Sequence, residues 1–368
     1  MDEVVVQPWI LRLSLWIMLA TFVVLAATIA LARATRHARQ RAVDGRVHPL
    51  RQDVLALVSG EDDDGGAAER LRALRGPTVD LVVPVLLGYL SKVRGAPAQR
   101  IVEILREHGL VRGARADVDS LSGTRRARAV WVLGVMRVRE AVADVVPRLQ
   151  DRDRGVAVTA ARSLGMLADG SSATDLLAAV APARGGRGEL PVWVVVEALA
   201  TMGPETAEVV GRALESRDAS TRAVAAITIG RAQHLSQRPG LRAIADADAD
   251  SADPTVLAAV ATALGALGDP ADVDRLAHLT RDELPRSVRL AAVRALGELG
   301  DRRAITVLAD LLADHDPRLG ELAAEVLVGL GAPGLEQVRE SATRSGAAAA
   351  SADYGLALRS LRLSSGRL

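Results

Sequence analysis

A short signature recurs along this chain at nearly constant spacing, and it limits the fold more than any other feature. A Leu-Gly pair or a near variant appears as LGVMR at 133–137, LGMLA at 164–168, LATMG at 199–203, IGRAQ at 229–233, LGALG at 264–268, LGELG at 296–300 and LVGLG at 327–331. The spacings are 31, 35, 30, 35, 32 and 31 residues. Self-similarity of this period belongs to chains that stack one supersecondary unit on the next, each burying the apolar face its neighbour leaves open. Such a period holds two short helices and two turns. The spacing therefore predicts an all-α chain, a right-handed α-solenoid of helical hairpins.

One unit shows the local logic. Over 288–299, Val288, Ala292, Ala295, Leu296 and Leu299 fall on one helical face. Gly300 suits the left-handed residue that ends a helix, and Asp301 suits the N-cap of the next. Ile305, Leu308, Leu311 and Leu312 form a second apolar stripe. Gly268, Asp269 and Pro270 repeat the punctuation one unit earlier, with proline in the first helical turn. Asp153, Asp218, Asp253 and Asp316 each stand eleven residues before the marker Leu or Ile, where an aspartate can cap the incoming helix. Aromatic residues are only 2% of the chain, so Ala, Leu and Val must build the core. Small side chains also let helices approach closely.

These motifs resemble HEAT repeats, in the short bacterial form named after the bilin-lyase (PBS lyase) HEAT-like proteins. DRDRGVAVTAARSLG at 151–165, RSVRLAAVRALGELGDRRAITVLADLL at 286–312 and DHDPRLGELAAEVLVGLG at 314–331 carry the resemblance, which covers 119–345. The unit at 199–203 departs from it, with an ARGGRGELP loop in place of the Asp turn. The unit at 229–233 has lost the second Leu-Gly. The resemblance implies a shape, not a reaction.

Residues 48–118 read as degenerate helical repeats that begin the stack, with helices near 48–59, 67–75, 78–92 and 97–108. LVVPVLL at 81–87 reads as core. Residues 346–368 read as a C-terminal capping helix and tail. Residues 13–32 carry no charge, and a helix of that length spans about 30 Å, the thickness of a bilayer's hydrocarbon core. The sequence thus predicts one transmembrane helix at 13–32 after a short extracytoplasmic N-terminus at 1–12. A basic juxtamembrane segment follows at 33–47, with Arg33, Arg36, Arg39, Arg41 and Arg46. Positive charge stays on the cytoplasmic side. The expected protein is therefore single-pass in a bacterial inner membrane, its N-terminus outside and its C-terminal domain cytoplasmic. The same arginines would lie against anionic lipid headgroups.

Charge and composition then exclude chemistries. Residues 1–32 carry −1 and residues 33–46 carry +4, so the chain's +1 leaves −2 for residues 47–368. A nucleic-acid binder concentrates positive charge on one face, and this balance argues against nucleic acid as a partner. The absence of cysteine excludes disulfides and thiolate metal sites. DADADSAD at 246–253 places Ser251 and Leu257 where a calcium loop needs Gly and Glu, so it reads as an inter-repeat turn. EDDD at 61–64 reads as a solvated loop. None of His37, His48, His108, His234, His278 and His315 precedes a Glu, unlike the His-Glu pairs of the iron-binding HEAT-repeat hydroxylases. No phosphate-binding loop, nucleophile elbow or dinucleotide motif is present. The sequence therefore names no catalytic, cofactor-binding or metal-binding residue, implies no cofactor, and gives no reason to expect an enzyme.

Trp131 and Arg139 are the candidate partner-binding residues. Trp131 aligns with Arg294, off the apolar stripe, and exposed tryptophan is a common binding anchor. Trp193 aligns with Leu290 and reads as half buried. An inner face formed by the second helix of each pair would offer extended area to other proteins, expected to be membrane-associated. The resulting expectation is a membrane-anchored cytoplasmic scaffold or adaptor. The alternatives are a lyase-like enzyme or accessory of the bilin-lyase class and, third, a nucleic-acid-binding HEAT-like protein.

Overall fold

The Leu-Gly spacing does become a stack of helix pairs in the computed structural model. The structure describes residues 50, 52–62, 64–180, 190–247 and 253–365; before these it describes only positions 16, 22, 25, 28 and 33. The chain divides into two compact units, Met1–Leu110 and Val111–Leu368. Among the described residues there is no strand.

In the first unit, helices cover 52–59, Gly66–Ala73, Pro77–Leu90 and Ala96–Glu107. Leu57, Leu71, Leu86, Ile101, Ile104 and Leu105 form its fully buried centre. Val82, Val83, Leu86 and Leu87 turn the LVVPVLL stretch inward despite Pro84 inside the helix. The EDDD segment is not wholly solvated. Asp62 is buried and accepts the backbone N–H groups of Ala67 and Ala68 at 2.8 and 3.0 Å, satisfying the first turn of Gly66–Ala73. Glu61 and Asp64 beside it stay exposed.

The second unit is built on long first helices: Gly123–Val135, Arg154–Leu167, Val192–Met202, Ala219–Ala232, Pro254–Leu267, Arg286–Leu299 and Pro317–Gly329. Shorter second helices answer them, among them Ala173–Ala178, Ala207–Ala213, Arg238–Ala245, Val273–His278 and Ala304–Asp310. The marker residues Leu133, Leu164, Leu199, Ile229, Leu264, Leu296 and Leu327 are all 0% exposed. The last helix, Ala347–Ser365, packs on Pro317–Gly329, with Ser351 against Gly320 and Gly355 against Ala324.

A glycine follows five of the seven markers and sets the helix spacing there; Ala200 and Val328 take its place after Leu199 and Leu327. A Cβ built on Gly165 would lie 2.8 Å from the Cα of Ala198; on Gly230, 2.8 Å from the Cα of Ala263; on Gly265, 2.7 Å from the Cα of Ala295. Gly134 meets Ser163 and Gly297 meets Val326 in the same register. Each of these glycines thus admits the residue just before the next marker, and the first helices that they join approach closely.

The punctuation also holds. Asp153, Asp218, Asp253 and Asp316 are N-caps whose carboxylates accept from the N–H of Gly155, Thr221, Thr255 and Arg318. Four residues past the marker the backbone is left-handed in every pair, at Arg137, Ala168, Gly203, Gln233, Gly268, Gly300 and Gly331. Ala168, with φ of 50°, bears the Cβ strain that glycine avoids elsewhere. Ala168→Gly should therefore stabilise the protein by about 0.5–1 kcal/mol, less than the full steric relief because glycine also loosens the unfolded chain. A urea midpoint that rises without a change in slope is the expected reading.

Stability should also depend on pH in two stages. Asp253 and Asp269 are held below the ordinary carboxylate range chiefly by the backbone N–H of Thr255 and of Ala271, and Asp151 chiefly by the Arg126 guanidinium. With folded values depressed, the unfolded chain takes up protons first as pH falls below about 4, so this stability is present above that pH and lost beneath it. Burial pushes His234 below its usual 6.5. Its unfolded form therefore protonates first, and stability should begin to fall below about pH 6.5. Urea unfolding followed across pH should show both stages, and His234→Gln should remove the upper one.

The localisation expected from sequence is corrected. Among the described residues, no helix is long and apolar enough to cross a membrane. Most helices are too short, and the 19-residue Ala347–Ser365 carries Asp353, Arg359 and Arg362. Segment 13–32 lies largely outside the described residues, as do Arg36, Arg39, Arg41 and Arg46; Arg33 is described and exposed.

Candidate protein-interaction face

First helices that touch at glycine present their outward residues as one continuous strip. Two positions before each marker stand Trp131, Arg162, Glu197, Ile227, Thr262, Arg294 and Glu325, each exposed or half-buried. The second helices are spaced differently. Open grooves run between them, one lined by Glu208, Arg212, Gln237 and Ala243, another by Asp246, Ala271, Asp274 and His278. Neighbouring units therefore meet chiefly along their first helices, while the second-helix side, where the sequence places the binding face, is the more open one.

The aromatic residues of this strip lie on its N-terminal part. The Arg162 guanidinium sits over the Trp193 ring, 5.1 Å from its centroid, a cation–π contact. Trp193 is 56% exposed, with Val192 and Met166 also open to solvent. Trp131, one helix earlier, is half-buried. The alignment with Leu290 ranked these two tryptophans the other way round. Helix Val192–Met202 begins seven residues before its marker, whereas Arg286–Leu299 begins ten before. Trp193 thus stands in a first turn, where fewer neighbours cover it.

Arg139 is exposed in the turn Arg139–Ala141 that leads into a second helix, and its charge bears on Asp169 of the next turn. Trp131 and Arg139 stand on different elements. Other arginines form arginine–aspartate pairs that tie one unit to the next. Arg126 binds Asp151 through Nε and Nη2 at 2.8 and 2.7 Å, and Arg242 holds the fully buried Asp272 at 2.6 Å. Arg289, 3% exposed, donates to the carbonyl of Thr280 and to Asp282 and Asp314. Sequence reading missed these pairs. Their one available signal was spacing, since Arg126–Asp151 and Arg289–Asp314 are both separated by 25 residues.

Asp282, Asp314 and His315 place ligand-type atoms within 4.8 Å of one another. The buried Arg289 already occupies both carboxylates, so a cation entering there would meet a fixed positive charge. Of the other histidines, His234 is buried against the Thr206 hydroxyl and His108 reaches the carbonyl of Leu71. His37 and His48 lie outside the described residues, as does the middle of DADADSAD; at its ends Asp246 pairs with Arg275 and Asp253 caps a helix.

The family model of HEAT repeats matches residues 206–291 and 283–352. This stretch is a run of HEAT repeats. The units of 123–178 share the marker, the left-handed residue and the glycine contact of those HEAT repeats. Among solved structures, human deoxyhypusine hydroxylase bound to glycerol is 19% identical over 69% of this chain and 99% of that one, with a TM-score of 0.30. The CpcE–CpcF phycocyanin lyase complex of Nostoc is 20% identical over 67% and 94%, with a TM-score of 0.31. The Escherichia coli protein YibA is 15% identical over 73% and 96%, with a TM-score of 0.36. At these scores the likeness carries no functional argument. No curated protein matches the sequence. Neither a membrane anchor nor a bacterial origin finds support in these comparisons.

Proposed function

We propose that this HEAT-repeat chain is a non-catalytic scaffold that binds other proteins along the outward strip of its first helices. HEAT-repeat proteins generally bind other proteins, and a stack of this kind offers a long surface rather than a single pocket. The observation that carries the reading is the register of close contacts at Gly134, Gly165, Gly230, Gly265 and Gly297, which sets the first helices that they join side by side. The buried arginine–aspartate pairs serve the stack itself, which leaves the strip's outward side chains available to a partner.

The test places photo-crosslinking residues at Thr262 and Arg294 on first helices, and at Glu215 and Ala243 on the second-helix side. One protein should be captured from the first two positions and not from the last two. Capture from the second-helix side alone, or from neither, ends the proposal.

A further inference from the structure

The N-terminal part of the strip has a chemistry of its own. Helices Gly123–Val135 and Arg154–Leu167 contain no acidic residue. Arg125, Arg128, Arg154 and Arg162 are all exposed there. Arg126 beside them is paired with Asp151, but these four form no ion pair among the described residues. Arg162 lies over Trp193, and Met166 and Val192 on the same two helices are also open to solvent. Among the described residues the carboxylate bordering the group on the third helix is Glu197, one turn after Trp193. Elsewhere on the strip the signs mix: Arg294 stands with Glu298, and Arg318 with Glu321 and Glu325.

The geometry points to a docking site for an acidic protein segment that carries an apolar anchor, with the anchor on Trp193 and Met166 and the carboxylates on Arg128 and Arg162. This rests on the scaffold reading and adds the partner's chemistry. Charge complementarity selects the sign, because Arg125, Arg128, Arg154 and Arg162 outnumber the bordering carboxylates Asp153 and Glu197, and none of the four is ion-paired among the described residues. The apolar trio selects protein over nucleic acid, since a phosphate backbone would leave Met166 and Val192 uncovered. An open tryptophan beside arginine is also the composition of protein-interface hot spots. Three adjacent helices with axes about 8–10 Å apart span about 20 Å, the reach of six or seven extended residues. The geometry thus fits a short linear segment crossing the helices.

The Arg162–Trp193 contact gives the site a fixed centre. Stacking holds the guanidinium flat and leaves its N–H edge free to meet a carboxylate. Lysine at 162 would keep the charge and lose that planar, bidentate edge.

The experiment uses the full chain and a fluorescein-labelled peptide, Asp-Glu-Asp-Leu-Phe-Glu-Asp-Leu, read by anisotropy. Its controls are the same peptide with lysine for each acidic residue, and a labelled single-stranded oligonucleotide. The acidic peptide should bind, and binding should weaken sharply between about 0.05 and 0.5 M salt. Trp193→Ala and Arg162→Glu should each weaken it by about tenfold or more, with Arg162→Lys intermediate. Arg302→Glu, the same charge change at an exposed arginine off the strip, should leave binding within about twofold; circular dichroism melts check that every variant is folded. Preference for the oligonucleotide, equal binding of the lysine peptide, or equal loss with Arg302→Glu overturns the site. Crosslinks from Thr262 and Arg294 would survive that failure and keep the scaffold reading standing, so the two fail separately.

Discussion

Arg289→Ala should cost about 3–5 kcal/mol, one of the two largest effects expected of a single substitution here. The reason lies in what the guanidinium leaves behind. It is buried, and it donates to the Thr280 carbonyl, to Asp282 and to Asp314. Asp282 is largely exposed and can return to water, but the Asp314 side chain is only 5% exposed. Without Arg289, Asp314 would be a carboxylate in a poorly hydrated place with the backbone N–H of Asp316 as its remaining strong donor. The check is urea unfolding of Arg289→Ala, Asp314→Ala and the double variant. The double variant should lose clearly less than the sum of the two, since its second substitution removes the stranded charge. A single-variant loss under about 1 kcal/mol, or simple additivity, would show that the pair is peripheral.

Gly265→Leu should be the other large effect, about 3 kcal/mol or more, beyond the usual cost of overfilling a core. The Cβ alone would stand 2.7 Å from the Cα and the Cβ of Ala295. Backbone cannot turn aside as a flexible side chain can, so Pro254–Leu267 and Arg286–Leu299 must separate. In a stack, stability comes from each unit and from the interface between neighbours. Loss of this one interface should therefore split unfolding into two transitions, with the units after Arg286 melting apart from those before it. Gly268→Ala is the contrast. It meets open space and carries only left-handed strain, so it should cost about 1–2 kcal/mol and leave a single transition. Equal behaviour of the two glycine variants would remove close helix contact as the reason for the marker.

Much of this was readable in the order of the residues. The Gly-Asp punctuation, the four aspartate caps and the buried marker leucines are local facts, set by φ preference, hydrogen bonding to the next turn and helical period. Residues 61–64 and Trp193 were misread for a different reason. Whether Asp62 meets water or two backbone N–H groups depends on how the loop returns onto Gly66–Ala73. Whether Trp193 is covered depends on how many turns precede it in its helix.

The sequence by itself determined that helical pairs would form and stack at this period, because repetition imposes the same local conformation and the same apolar face on each unit. Only the tertiary structure decided which helices meet closely between units, which arginines are consumed by aspartates, and which form no ion pair among the described residues. Those outcomes depend on distances between backbones that no single unit contains. A glycine touching the next helix, and a guanidinium reaching a carboxylate 25 residues away, exist only once neighbouring units have docked.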